Sequence, residues 1–581
     1  MLDLLTPEGE ALLQAPEAPA WQVYPRPQMK RDSYLNLNGT WLLRNSPKGD
    51  LPPSIPEKDV HKFYPKKIQV PFCPECRLSG IQEHFPDGSY LFYFRRVTLP
   101  QGFNRGRVLL HIGAADQTLD CYVNQKHIGT HVGGYEAMTF DITDALEAEN
   151  ELVLRVVDDL RSTTLPYGKQ VLNRGGMWYT PVSGIWQSVW LESVPSNYVN
   201  RLDIQVNGTT AVIRTEPAMD GTVLVEGLGQ YPLVDGKAEI TPDTPHLWSP
   251  DDPHLYRFTL RAGEDVIESY FALRTLQTQV IDGIPRLCLN GKPYFFHGLL
   301  DQGYWPDGIY TPAAPECYQR DILTMKSLGF NTLRKHIKVE PEQFYYDCDR
   351  LGMLVFQDMV NNGDYAYIRD TVLPTVGLQV RPDKGMHKDE ATREAFLSGM
   401  KATVQQLKNH PSIVYWTIFN EGWGQFDSDR IYGILKELDD SRIIDSTSGW
   451  FRRKQTDVDS RHIYFGPWKL KASDKPLVLS EFGGYTCSIE NHIFNPDKSY
   501  GYRTCTDRQT FQKELLELYE TRILPVIPKG LCGAIYTQVS DVEDEINGLV
   551  TYDRRVTKLD PAAMQALAAR LQVAMPAPIQ C

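Results

Sequence analysis

The sequence predicts a multidomain protein. An all-β sandwich is expected over residues 1–195, a smaller immunoglobulin-like β-sandwich over 196–275 and a (β/α)8 TIM barrel over 276–581. Three observations predict this. The chain has 581 residues, too many for one ordinary core. Short apolar runs of period two, cut by Gly, Asn and Asp turns, fill its first part. After about residue 276, apolar strands alternate with stretches of helical period, the texture of a parallel sheet wrapped by helices.

In the first region, residues 90–97 and 107–112 read as strands. Residues 121–128 read as strand, turn, strand, with the turn at Asn124-Gln125. The second region is carried by strands at 201–206, 211–214 and 256–261, spaced as in an immunoglobulin-like module. In the third, Ile322, Met325 and Leu328 share a helical face that Gly329 stops. A strand follows at 330–334. Phe344, Cys348 and Leu351 form a second stripe, stopped by Gly352, and residues 354–356 form a buried strand ending in Gln357-Asp358. Phe396, Met400, Val404 and Leu407 mark another helix. Residues 413–419 are almost continuously apolar, as parallel strands are. Later strands are expected at 443–444, 463–465, 477–479 and 534–536, making about eight strand–helix units.

Composition narrows the partners. The formal charge of −13 repels phosphate backbones and anionic lipid, so neither nucleic acid nor a membrane surface is expected. The opening MLDLLTPEGEALLQ is acidic where a signal peptide is basic, and no apolar run reaches a transmembrane length. A cytoplasmic protein is expected. Ten cysteines are scattered along the chain, and the lone pair Cys73 and Cys76 lacks the second pair of a zinc ribbon, so free thiols are expected.

Two strand ends carry chemistry. Residues 413–420 run apolar into Glu421, and residues 476–480 run into Glu481; each glutamate precedes Gly-rich chain. Catalytic groups of such barrels sit at the C-terminal ends of strands, and a Glu closing a buried strand is costly unless paired or used. Glycoside hydrolysis needs two such groups: an acid that protonates the leaving oxygen and a carboxylate that attacks the anomeric carbon. Asn420 is placed to hydrogen-bond the hydroxyl beside that carbon. The competing reading of either glutamate alone is a salt-bridged surface residue.

At these residues the chain resembles glycoside hydrolase family 2, the group of β-galactosidases, β-glucuronidases and β-mannosidases. Leu37-Asn-Gly-Thr-Trp41, Gly133-Gly-Tyr135 and the segment from Trp178 to Trp186 are similar to its sugar-binding jelly-roll domain. Trp248-Ser-Pro250 and Pro253-His-Leu-Tyr256 are similar to its immunoglobulin-like domain. Asn331-Thr-Leu-Arg334, Asn409-His-Pro-Ser412, Asn420-Glu421 and Ser480-Glu-Phe-Gly483 are similar to its barrel. The resemblance implies that Glu421 is the acid/base, Glu481 the nucleophile, Arg334 the cation that keeps it ionised and Tyr464 its hydrogen-bond donor.

Other features bear on the sugar. Members specific for glucuronides carry Asn-x-Lys where this chain has Glu545-Ile-Asn547, which supplies no cation and disfavours a glucuronide. Tyr536 stands where many relatives place a Trp platform. Asp301, Trp305, Asp307, Asp358, Trp423 and Trp468 are candidates for gripping or stacking on the sugar, each also readable as loop or packing. The resemblance implies a retaining exo-β-glycosidase, with a β-D-galactoside first among substrates, no cofactor, no metal that the sequence compels, and a homo-oligomer by analogy. A uronidase, mannosidase, arabinosidase or non-catalytic carbohydrate-binding protein are the alternatives.

Overall fold

The computed structural model describes residues 2–15, 18–375, 378, 383–465, 468 and 470–577. Its first part packs two antiparallel sheets face to face. One holds strands Tyr34–Asn36, Val189–Val194, Arg107–Ile112 and Met138–Asp141; the other holds Lys66–Val70, Gly39–Ser46, Tyr90–Val97, Asn150–Val157, Thr118–Val123 and Lys126–Val132, each in spatial order. Alternate residues such as Leu91 and Tyr93, Leu152 and Leu154, and Val108 and Leu110 meet in one core, as period-two strands require. Asn124 and Gln125 take φ of 49° and 67°, the two left-handed residues that a tight hairpin turn needs.

A second pair of sheets follows, one of strands Arg201–Asn207, Thr210–Glu216 and Lys237–Ile240, the other of Gly229–Leu233, Gly221–Val225, Tyr256–Ala262 and Asp265–Phe271. It is tied to the rest through Asp349, fully buried. This carboxylate accepts from the Tyr270 hydroxyl at 2.7 Å and the Ser412 amide at 2.8 Å, and lies 2.7 Å from His410 Nδ1.

The barrel strands are β1 (Phe296–Asp301), β2 (Thr332–Lys335), β3 (Leu354–Asp358), β4 (Ile413–Asn420), β5 (Ile443–Ser448), β6 (Asp459–Ile463), β7 (Leu477–Gly483) and β8 (Leu531–Thr537). They pair in parallel in the order β5-β4-β3-β2-β1-β8-β7-β6, and no ladder joins β5 to β6 among the described residues. Phe296, Leu300, Leu354, Phe356, Val478 and Ile535 fill the interior. Their neighbours Leu299, Leu333, Val355, Leu479 and Tyr536 face the surrounding layer.

Two expectations are corrected. Helices Glu316–Ser327, Glu342–Leu351, Glu390–Leu407, Ser428–Leu438, Arg508–Leu518 and Pro561–Val573 follow β1 to β4, β7 and β8. The connections after β5 and β6 hold no helix among the described residues, so the eight expected units become six; those stretches lack an apolar helical stripe. The sixth strand also lies earlier than 463–465. Its inward residues are Ser460 and His462, so its apolar signature is missing. No helix among the described residues is long and apolar enough to cross a membrane. The nine described cysteines are buried free thiols.

Candidate active site

The site is assembled around one guanidinium. Arg334 points inward from β2 and is 0% exposed, so its donors need acceptors inside the protein. Nε donates to Asp358 Oδ1 at 2.9 Å, Nη1 to Glu481 Oε1 at 2.9 Å and to the Ser480 carbonyl at 3.0 Å, and Nη2 to Asn420 Oδ1 at 2.9 Å. One side chain thus joins the ends of β2, β3, β4 and β7.

Glu481 accepts a second bond on its other oxygen, from the Tyr464 hydroxyl at 2.6 Å. That hydroxyl is also 2.8 Å from Thr537 Oγ1. Burial raises the Glu481 carboxyl, but His462 and Arg334 more than offset it, and it falls to about 2. The group is therefore a carboxylate at neutral pH. Tyr464 is in turn stacked on Tyr502, ring centroids 3.9 Å apart.

Glu421 follows Asn420 at the end of β4, in a left-handed conformation with φ of 54°, and its amide donates to the Ser448 carbonyl at 3.0 Å. Its Oε1 lies 2.7 Å from His462 Nδ1. Ligand-capable atoms of Glu421, His462 and Glu481 all lie within 4.8 Å of one another, so the two carboxylates face each other across a gap of one reacting centre. This trio could also hold a divalent cation, at the cost of occupying both carboxylates.

Several groups here escape the sequence reading. His462, on β6 two residues before Tyr464, has its Nε2 3.0 Å from Ser448 Oγ; period-two spacing from Tyr464 is the signal that could have found it. His336 Nδ1 is 2.7 Å from Asp358 Oδ2. Burial, and then the charge of Lys169, pushes this imidazole down to about 4, so at neutral pH it is uncharged and donates from Nδ1 to Asp358.

Not every expected residue joins the site. Asn420, Arg334, Tyr464 and Asp358 do. Trp423 lies on the rim, packed edge-on against Tyr167 and Trp178 at 5.4 and 5.1 Å, with its indole N–H on the Gly363 carbonyl. Asp301, Trp305, Asp307, Trp468 and Tyr536 lie elsewhere. Asp301 follows inward Leu300 and so points outward, to Lys335 Nζ at 2.7 Å. Trp305 is covered by the Arg554 guanidinium at 4.1 Å. Asp307 is fully buried and accepts from the Thr6 amide at 2.8 Å. Trp468 packs on Phe482, and Tyr536 packs behind the same ring. The physical reason is shared for Asp301 and Tyr536: one step along a strand reverses the face, and on β8 the inward position is Thr537.

The model of the glycosyl hydrolases family 2 TIM barrel domain matches residues 281–563, and that of glycosyl hydrolases family 2 matches residues 196–274. The chain is similar to a β-galactosidase of Thermoanaerobacter pseudethanolicus, 22% identical over 71% of this chain and 55% of that protein. It thus spans about half the length of that relative. Its fold is similar to a β-D-glucuronidase of Dictyoglomus thermophilum, with a TM-score of 0.71, 18% identity, and 96% and 100% of the two chains covered. It is likewise similar to a β-galacturonidase of Eisenbergiella tayi bound to galacturonate, with a TM-score of 0.65, 17% identity, and 96% and 100% covered.

Proposed function

The chain belongs to glycosyl hydrolase family 2, and from that premise we propose that it is a retaining exo-β-glycosidase. The carrying observation is the pair Glu421 and Glu481, with carboxylate oxygens within 4.8 Å. That gap suits direct attack on the sugar, about 5 Å, and leaves too little room for the water of an inverting reaction. Glu481, ionised beside Arg334, attacks the anomeric carbon while Glu421 gives its proton to the leaving oxygen. A water then gives its proton to Glu421 and attacks the same carbon, releasing Glu481 and restoring the β anomer. Asn420 spends its Oδ1 on Arg334, which leaves its amide N–H groups for the hydroxyl beside the reacting carbon.

A terminal β-D-galactoside is the first substrate to try, as the sequence reading and the name of the Thermoanaerobacter relative suggest. The assembled Arg334 cluster speaks against a purely carbohydrate-binding protein, since binding alone needs no ionised nucleophile. On the best 4-nitrophenyl glycoside, Glu421→Ala is expected to lose about 10²–10⁴-fold in rate and Glu481→Gly more. Azide should rescue Glu481→Gly with an inverted α-glycosyl azide, and Glu421→Ala with a β-azide. Both variants keeping wild-type rates would sink the assignment.

A further inference from the structure

The expectation that this chain offers no cation to an acidic sugar rested on Glu545 and Asn547 alone. The fold brings a cation from elsewhere. Residues 167–179 of the first sandwich reach across to the barrel mouth. The Tyr167 and Gly168 amides donate to the Asn361 carbonyl, just past β3, at 3.2 and 3.3 Å. Gly168 takes φ of 63°, and a Cβ there would sit 3.1 Å from the Ile337 carbonyl oxygen, so this backbone lies against the chain just past β2. Gln170 turns back into the sandwich, where its amide donates to Asp116 Oδ2 at 2.8 Å. Lys169 sits in the turn just before it, on the stretch of backbone held at the barrel mouth. The Tyr179 amide donates to the Lys169 carbonyl at 3.0 Å, and the Tyr179 hydroxyl donates to Glu545.

Lys169 is half-buried, and its charge acts on both His336 and Glu545, which places it between the tip of β2 and the loop after β8. Among the described residues its ammonium has no hydrogen-bond or ion-pair partner. The carboxylates of the site are each engaged: Glu481 by Arg334 and Tyr464, Asp358 by Arg334 and His336, Glu421 by His462, and Glu545, which feels the Lys169 charge, by Tyr179 and by Asn547 at 2.9 Å. A half-buried cation without a counterion gains most from an anion that arrives with the ligand.

We propose that Lys169 selects the sugar: its ammonium receives the C6 carboxylate of a terminal β-D-uronide, so the substrates are acidic sugars. This rests on the retaining β-glycosidase reading. It concerns charge and leaves ring configuration open, and it replaces the galactoside named above by its acidic counterpart, a galacturonide, or by another uronide.

The test compares wild type, Lys169→Met and Lys169→Arg on 4-nitrophenyl β-D-galacturonide and β-D-glucuronide against the matched galactoside and glucoside. Wild type should favour a uronide over its neutral partner, and Lys169→Met should shrink that ratio about 10- to 100-fold, the worth of one charge-assisted hydrogen bond, mainly through KM. Lys169→Arg should keep part of the preference. A wild-type preference for the neutral sugar, or an equal effect of Lys169→Met on both members of a pair, overturns the proposal. If no glycoside is turned over, the catalytic reading fails and calorimetry with D-galacturonate and D-galactose decides instead. Uronate-selective binding lost in Lys169→Met supports the role of Lys169, and unselective or absent binding overturns it.

Discussion

His462 Nδ1 lies 2.7 Å from Glu421 Oε1, which makes the imidazole the positioning partner of the proposed acid/base. Its other nitrogen is anchored on Ser448 Oγ at 3.0 Å, so the ring cannot swing away without losing a second bond. His462→Ala is expected to lower kcat/KM by about 10- to 100-fold on glycosides with poor leaving groups, a fraction of the full worth of general acid catalysis. On a dinitrophenyl glycoside, which departs without a proton, the loss should nearly vanish. Equal losses on both substrates would show that His462 does not act through Glu421.

Arg334 is expected to set the acid limb of the pH profile. Burial raises Glu481, while His462 and Arg334 bring it to about 2, and the reaction needs its charged form. Activity tied to this group is therefore present above that value and lost as pH falls through it. Arg334→Met should raise the carboxyl by about 1–3 units, so kcat/KM of the variant falls at a correspondingly higher pH. An unmoved acid limb, in a variant whose circular dichroism matches wild type, would count against this role.

Asp349 predicts a stability effect remote from the chemistry. It gathers Tyr270, His410 and the Ser412 amide in a fully buried cluster, and Asp349→Ala strands all three. The expected cost is about 3 kcal/mol or more, read as a lower urea midpoint. A midpoint within error of wild type would show that the cluster relaxes.

Asp158 predicts stability that declines with pH. Burial, and then the negative charge of Glu75, push its carboxyl from 3.8 up to about 7. The folded state therefore holds this proton more tightly than the unfolded state. The stabilisation is full below 3.8 and is lost as pH rises through 7. Asp158→Asn should be more stable than wild type at pH 8 by about 2–4 kcal/mol, and the advantage should shrink toward pH 5. No change in relative stability between the two pH values would contradict the assignment.

Much of this architecture was legible because local rules and fold agree. Gly329 and Gly352 end helices with φ of 80° and 74°, and the apolar runs of β4 and β7 stop at the residues that converge on Arg334. The failures share a cause. Residue type is visible in a sequence, but facing is not, so Asp301 and Tyr536 looked like ligands while their side chains point out of the barrel. β6 was placed too late because a strand that lines a polar site trades apolar residues for Ser460 and His462. Lys169 was missed because its position at the barrel mouth depends on a crossing between two domains, which leaves no periodic trace.

If Lys169 selects the sugar as proposed, the path from Gly168 to Tyr179 puts recognition and bond cleavage in separate stretches of chain. Exchanges within this one loop would then redirect what the enzyme accepts while the Arg334 cluster, more than 150 positions downstream, keeps its geometry. A lineage could therefore wander from one diet of glycans to another by editing the sandwich alone, and grafting the loop between relatives is a direct way to watch that happen.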